Sequence, residues 1–289
     1  MNDLDVKKTH VTKTLAHTAP LVAGRIDPTG RFVFATSEDR SIVRWRLDNE
    51  AKASFAGHDS WVFGLAFCDG GQTLLSAGGD GKLIWWPVAD DKPTPRRNVP
   101  AHDGWARCVA VSPDGQLIAT GGNDNLVKVW SAADGKPVHT FKGHANRVYS
   151  VAFHPDGKLI SGDLMGSVRV WDLGTGKEIG VLDGKELHTY EAGQGVDFGG
   201  IRGLVVSPDR TKIACGGLYK ASNPLGAVHE PLVVLFDWAS RKKLRTQIAP
   251  AIPGGVLWRL RFLPDQTLVG VCGGTSGGFL LFWRLDQEK

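Results

Sequence analysis

Methionine occurs twice and tyrosine three times in 289 residues, and the four cysteines, Cys68, Cys108, Cys215 and Cys272, stand far apart. No C-x-x-C pair exists, which removes the common metal and redox motifs. Each cysteine lies in a short apolar run, the setting of a buried, reduced thiol. That usage suits a reducing compartment, and a cytoplasmic location is expected. Charge of one sign is never concentrated: the net charge is +4, and the densest basic clusters are Arg241-Lys242-Lys243 and Arg96-Arg97. A nucleic-acid contact is therefore permitted but disfavoured. No apolar stretch approaches the roughly 18 residues of a membrane-crossing helix, so no membrane association is expected. The opening residues MNDLDVKKTH lack the apolar centre of a signal peptide.

Glycine and tryptophan are plentiful instead, at 37 and 10 residues. Glycine at about 13%, against a usual share of roughly 7%, argues against a helix bundle, where each interior glycine costs about 1 kcal/mol relative to alanine. A turn-rich, all-β chain is the expectation. Short alternating runs end in an aromatic residue at Trp45, Trp86, Trp130 and Trp171, with weaker copies ending at Phe236 and Trp283. A histidine precedes each of the first four at nearly fixed distance: His17, His58 and His102 by 28 residues, and His144 by 27. Between histidine and tryptophan stands a turn signal: Asp27-Pro28-Thr29-Gly30, Asp69-Gly70-Gly71, Pro113-Asp114-Gly115 and Pro155-Asp156-Gly157. Pro208-Asp209 and Pro264-Asp265 continue the series. Proline fixes φ while Asp and Gly tolerate the remaining turn angles, so each marks a reversal between strands.

This pattern resembles the WD-repeat family of β-propellers. The resemblance rests on Gly57-His58, Gly143-His144 and Trp171-Asp172, with Ala101-His102 as a near copy, and it covers about residues 9–286. It implies one propeller domain over residues 1–289, built of four-stranded blades. The six repeats run approximately over 17–57, 58–101, 102–143, 144–187, 188–246 and 247–289. It also implies a buried hydrogen-bond network in each well-formed blade. Repeat 2 supplies His58, Ser76, Asp80 and Trp86, and repeat 3 supplies His102, Thr120, Asp124 and Trp130. Repeat 1 has His17, Asp39 and Trp45, but Ala35 takes the hydroxyl position. Repeat 4 has His144, Ser161 and Trp171, with Met165 where an aspartate is expected; repeats 5 and 6 lack the set. Because the set recurs once per blade, these residues read as structural rather than catalytic.

In this family a sequence repeat starts with the outer strand of one blade. The last blade therefore lacks an outer strand, and the alternating segment Thr9–Leu15 is expected to supply it and close a six-bladed ring. The alternative is a seven-bladed propeller truncated at its C-terminus.

Loop lengths and strand starts mark the candidate sites. Trp171 to Pro208 is about a dozen residues longer than the corresponding stretch in other repeats. It contains His188, Tyr190, Glu191, Gln194, Asp197 and Phe198. A second insertion follows Cys215-Gly216-Gly217, around Leu218 to Pro224 and His229-Glu230, with Tyr219 inside it. Long loops on a rigid scaffold often carry function. Eight residues before each turn stand Pro20, Trp61, Trp105, Arg147, Gly200 and Val256; six before stand Val22, Phe63, Arg107, Tyr149, Arg202 and Trp258. In WD-repeat proteins these positions commonly contact partners on the top face. They are rich in the residue types of interface hot spots. They hold three arginines and no acid, which suits an acidic or phosphorylated peptide.

Other motifs fail. Gly274-Thr275-Ser276-Gly277-Gly278 fits G-x-S-x-G but lacks the strand–turn–helix setting of a nucleophile elbow. His188 and His229 with Glu191, Asp197 and Glu230 form the one combination from which a metal-dependent or small-molecule enzyme is conceivable. The leading expectation is a non-catalytic, monomeric protein-interaction scaffold without cofactor or metal. Its partner-binding residues are Trp61, Phe63, Trp105, Arg107, Arg147, Tyr149, Arg202, Trp258, Tyr190, Phe198 and Tyr219. The alternatives are that enzyme and a nucleic-acid contact.

Overall fold

The computed structural model describes residues 5–221, 229–249, 252, 254–274 and 277–285. The chain divides into two compact units, one formed by Val11–Gly143 and the other by Met1–His10 with His144–Lys289. Each contains three successive antiparallel sheets of propeller-blade type, so the fold is all-β with six blades.

In the first unit, blade 1 comprises β1 (Leu21–Ile26), β2 (Phe32–Ser37), β3 (Ile42–Arg46) and β4 (Lys52–Phe55). Blade 2 comprises β5 (Val62–Cys68), β6 (Thr73–Gly78), β7 (Lys82–Pro87) and β8 (Arg97–Pro100). Blade 3 comprises β9 (Ala106–Val111), β10 (Leu117–Gly122), β11 (Val127–Ser131) and β12 (Pro137–Phe141). In the second unit, blade 4 comprises β13 (Val148–His154), β14 (Lys158–Asp163), β15 (Ser167–Asp172) and β16 (Lys177–Asp183). A hairpin of β17 (His188–Glu191) and β18 (Val196–Gly199) follows. Blade 5 then comprises β19 (Gly203–Val206), β20 (Lys212–Tyr219), β21 (Glu230–Asp237) and β22 (Lys243–Ile248). Blade 6 comprises β23 (Val256–Phe262), β24 (Leu268–Gly274) and β25 (Gly277–Trp283).

The turns follow from their residues. In blades 3 and 5 the hydroxyl of Ser112 or Ser207 donates to the carboxylate of Asp114 or Asp209 and accepts the N–H of Leu117 or Lys212, both at 2.9 Å. The left-handed turn position is filled by Gly115 (φ 75°) in blade 3 and by Arg210 (φ 63°) in blade 5. A β-carbon there costs about 1–2 kcal/mol.

Burial explains why the middle strands read as near-continuous apolar runs. Side chains alternate between sheet faces, and in blades 2 and 5 both faces are covered by neighbouring blades. Leu74, Ile84 and Trp86 of blade 2 pack with Phe32, Phe34 and Phe55 of blade 1; Leu75, Leu83 and Trp85 pack with Ile118 and Trp130 of blade 3. Blade 5 repeats the logic. Ile213, Cys215, Leu232, Val234 and Phe236 face blade 4, while Ala214, Val233 and Leu235 face blade 6. Losing one such Phe or Trp to alanine costs about 3–5 kcal/mol. The inner strands approach closely: a β-carbon on Gly64 of β5 would lie 3.0 Å from the backbone nitrogen of Val109 in β9.

One departure from the sequence reading concerns blade 6, which holds three strands among the described residues. Thr9–Leu15, expected as its fourth, joins no sheet. Lys13 instead donates to the Leu47 carbonyl at 2.8 Å and pairs with Glu50 at 3.2 Å, and Leu15 packs on Ala35, Val43 and Trp45 of blade 1. These contacts draw the segment onto blade 1.

All four cysteines are buried, and none is in a disulfide. Burial, aided by the charge of Asp69, pushes the Cys68 thiol up to about 12, and burial alone raises Cys215 and Cys272 above the usual thiol range. The thiolate is the reactive form. The native chain should therefore react very slowly with a disulfide reagent at mildly alkaline pH and release four equivalents on unfolding. Reductant should leave its melting temperature unchanged. Rapid reaction of the native chain, or a reductant-dependent melting point, would contradict this assignment.

Candidate functional site

Each network histidine sits in the loop before its blade, and both ring nitrogens are used. In blade 2 the Trp86 indole N–H donates to Ser76 Oγ at 2.8 Å, Ser76 Oγ lies 2.7 Å from His58 Nε2, and His58 Nδ1 lies 2.9 Å from Asp80. Indole is a donor only and ionised carboxylate an acceptor only, so the hydroxyl donates to Nε2 and Nδ1–H donates to Asp80. Blade 3 copies this with Trp130, Thr120, His102 and Asp124, at 3.0, 2.8 and 2.8 Å.

Blade 4 solves the problem differently. Met165 stands at the aspartate position, but the network is complete because Asp163 serves: its carboxylate lies 2.8 Å from His144 Nδ1 and accepts the Ser167 N–H at 2.9 Å. Trp171, Ser161 and His144 form the rest at 2.8 and 2.6 Å. The equivalent positions in blades 2 and 3 are Gly78 and Gly122. A β-carbon there would lie 2.5 and 2.4 Å from the histidine Nδ1. In blade 1, with Ala35 in place of the hydroxyl, His17 turns its Nε2 to Asp39 at 3.0 Å and takes Lys52 on Nδ1 at 2.8 Å.

The strand-start residues form a separate cluster in each unit. In the first, Phe63 stacks on Trp105 with ring centroids 5.0 Å apart, and the Arg107 guanidinium lies 4.9 Å over Trp105. Arg107 Nε donates to Asn123 Oδ1. Trp61 is 44% exposed and donates from its indole N–H to the Glu38 carbonyl at 3.1 Å. In the second unit, Arg202 lies between two rings, 5.1 Å from Tyr149 and 4.9 Å from Trp258. Trp258 is 48% exposed, and Arg147 is exposed beside this group in sequence. These rings thus bridge successive blades within a unit and also offer surface.

The insertions order themselves. Lys185–Leu187 makes a short turn with Leu187 buried in the blade 4–blade 5 core, and β17–β18 packs on β20. The second insertion extends β20 and β21, adding the pairs Leu218–Pro231 and Tyr219–Glu230. Its residues Ser222, Asn223 and Pro224 lie outside the described residues, as do Thr275 and Ser276 of the G-x-S-x-G segment. Tyr190 projects from the hairpin with Phe198 half-buried, and Lys220 lies 5.0 Å over the Tyr219 ring. Of the five residues of the conceivable enzyme site, two are paired with one another. His188 pairs with Asp197 at 2.8 Å, Glu191 accepts the Gly193 N–H at 3.2 Å, and no three metal-ligating residues converge among the described residues.

Sequence reasoning missed Arg44. It is 1% exposed in β3, donates to the carbonyls of Val88 and Asp90 at 2.7 and 3.0 Å, and pairs with Asp91. The only signal was a charge inside the apolar run Ile42–Trp45.

The WD domain, G-beta repeat model matches residues 49–87, 93–131 and 135–172. Each match opens on an outer strand (β4, β8 or β12) and closes on the third strand of the next blade. The chain carries three WD repeats. Among curated relatives, mouse Transducin beta-like protein 3 is 40% identical over 81 residues, 28% of this chain and 10% of that protein. Nuclear distribution protein PAC1-2 of Uncinocarpus reesii is 33% identical over 75 residues, 26% of this chain and 16% of that protein. Transcription initiation factor TFIID subunit 5 of Caenorhabditis elegans is 28% identical over 174 residues, 60% of this chain and 26% of that protein. The WD-repeat chain thus spans a tenth to about a quarter of these relatives' lengths. WD-repeat proteins generally act as protein-interaction scaffolds and are generally non-enzymatic.

Two stability predictions follow from the network. Asp163→Ala should destabilise the WD-repeat chain by about 1–3 kcal/mol, because it strands the buried Nδ1–H of His144. Met165→Ala should cost distinctly less; equal shifts in urea midpoint would remove Asp163 from the network. Burial opposes ionisation of Asp80, but hydrogen bonds from His58 and the Asp59 N–H outweigh it and bring its pKa down to about 2. A carboxylate lowered on folding stabilises fully above about pH 4 and loses that contribution as pH falls through the folded value. Asp80→Asn should flatten the acid limb of stability against pH between about 4 and 2, measured by urea unfolding at several pH values; an unchanged limb would exclude Asp80 as its source.

Proposed function

We propose that this WD-repeat chain is a non-catalytic scaffold that binds a protein partner through an acidic or phosphorylated segment at the entry ends of its inner strands. The supporting observation is the composition and setting of those ends. Trp61, Trp105 and Trp258 are each 40% or more exposed, although most large apolar side chains of the chain are buried. Each of the two clusters pairs such rings with an arginine, and none of the named positions is acidic. Aromatic and arginine residues are the types that carry most binding energy at interfaces, and arginine grips carboxylate and phosphate in a fork. The hairpin residues Tyr190 and Phe198, with Tyr219, extend the proposed surface of the second unit. The Caenorhabditis elegans relative is by its name a subunit of a larger assembly, which accords with a scaffold role. Buried cysteines, none in a disulfide, support a reducing, cytoplasmic setting.

The test is affinity capture with mass spectrometry, comparing wild type with a Trp105→Ala, Arg107→Ala, Arg147→Ala variant of confirmed fold. A partner held by wild type and lost from the variant is expected. Partners retained equally by both would move the interface away from these positions.

A further inference from the structure

The three strand-start arginines are not equivalent. Arg107 is committed to Asn123 and lies over Trp105, and Arg147 is exposed, where an ion pair is worth little. Arg202 differs in three respects. Its guanidinium contacts two aromatic rings, Tyr149 at 5.1 Å and Trp258 at 4.9 Å. Its Nε is buried without an acceptor, and no side-chain hydrogen bond or ion pair reaches its guanidinium from any described residue. Burial pulls its pKa down, yet arginine stays charged in proteins.

A half-buried cation whose Nε has no acceptor gives up part of its hydration, and the ring quadrupoles compensate only in part. A guanidinium receives an oxyanion edge-on, in its own plane, which leaves its faces to aromatic rings. That plane presents parallel N–H donors whose geometry matches the paired oxygens of a carboxylate or phosphate. His229 lies within the electrostatic reach of Arg202. Burial first, and then the Arg202 charge, hold it toward its neutral form against an opposing backbone contact from Gly254. Its Nε2 is also buried without a partner.

We infer that Arg202, in contact with the Tyr149 and Trp258 rings, is the receptor for a single anionic group, a carboxylate or a phosphate monoester, presented edge-on by a bound partner. This deepens the scaffold reading and rests on it for the partner, but not for the anion. Arg107 and Arg147 then contribute to the partner's affinity without selecting for its charge.

The test uses the full chain, labelled with ¹⁵N, and inorganic phosphate, acetate and chloride as probes at constant ionic strength. The Arg202 Nε–H and Trp258 indole N–H signals, assigned with Arg202→Met and Trp258→Phe variants, should shift saturably with phosphate or acetate and not with chloride. Arg202→Met should abolish the effect, and Lys136→Met, at an exposed position of the first unit, should leave the affinity unchanged. Arg202→Lys, which keeps the charge but loses the fork, should weaken it about tenfold, the equivalent of one charge-assisted hydrogen bond. A larger response to phosphate identifies a phosphorylated group as the natural one, and a larger response to acetate an acidic side chain. Absence of any saturable shift in a folded chain, or an identical shift in Arg202→Met, would overturn the assignment. The scaffold reading fails separately. A captured partner that binds Arg202→Met as well as wild type would sink the anion receptor and leave the scaffold. Saturable, Arg202-dependent phosphate binding without any macromolecular partner would do the reverse.

Discussion

One buried hydroxyl in each of blades 2, 3 and 4 holds the blade to the loop that precedes it. Ser76, Thr120 and Ser161 each accept from a tryptophan of the third strand and lie against a histidine of the entering loop. The oxygen sits at the one place where an indole donor and an imidazole acceptor can both be satisfied. The histidine then reaches a carboxylate that in turn accepts a backbone N–H of the next turn, from Lys82 in blade 2 and from Ser167 in blade 4. Loop, turn and two strands are thereby fixed with respect to one another. In a buried setting such a chain is favourable only when complete. Blades 5 and 6 lack it and rely on apolar packing between their faces, supplemented in blade 5 by the lengthened β20–β21 ladder.

The fixed loops explain why the inner strands can display large aromatic residues. A stack such as Phe63 on Trp105 spans two blades, and its geometry survives only if both strand starts are held. The network thus lies one step behind the proposed interface: it positions Trp105 and Tyr149 without touching a partner. The same division separates the arginines. Arg44 gives its terminal nitrogens to carbonyls and Asp91, Arg107 is held by Asn123, and half-buried Arg202 keeps a buried Nε without an acceptor.

Much of this was legible in the sequence because it repeats. The interval from His58 to Trp86, copied at His102 to Trp130, encodes a hydrogen-bonded unit whose members cannot move independently. What the sequence concealed has no period. Asp163 was hidden because its carboxylate reaches the histidine from a backbone position two residues away from the usual one. Thr9–Leu15 alternates like a strand, but alternation does not name a partner, and Lys13 and Leu15 found theirs on blade 1. The insertion before blade 5 read as a loop because residues 188–199 carry no long apolar run; its hairpin is held by Leu187 beneath and by His188 on Asp197. Arg44 and Arg202 looked alike as charges in strands, and only the surrounding rings and acceptors distinguish them.

The two ways of seating the network aspartate bear on how the repeats diverge. Blades 2 and 3 need glycine at positions 78 and 122 because the imidazole fills the space of a β-carbon. Blade 4 has a side chain there, and its histidine-to-hydroxyl interval is one residue shorter. Moving from one arrangement to the other by single substitutions passes through an intermediate with either a steric clash or an unanswered imidazole. The blades are therefore not interchangeable cassettes. Their histories are tied by epistasis, and a chimera that transplants blade 4 residues into blade 2 must change loop length, glycine and aspartate together to remain folded.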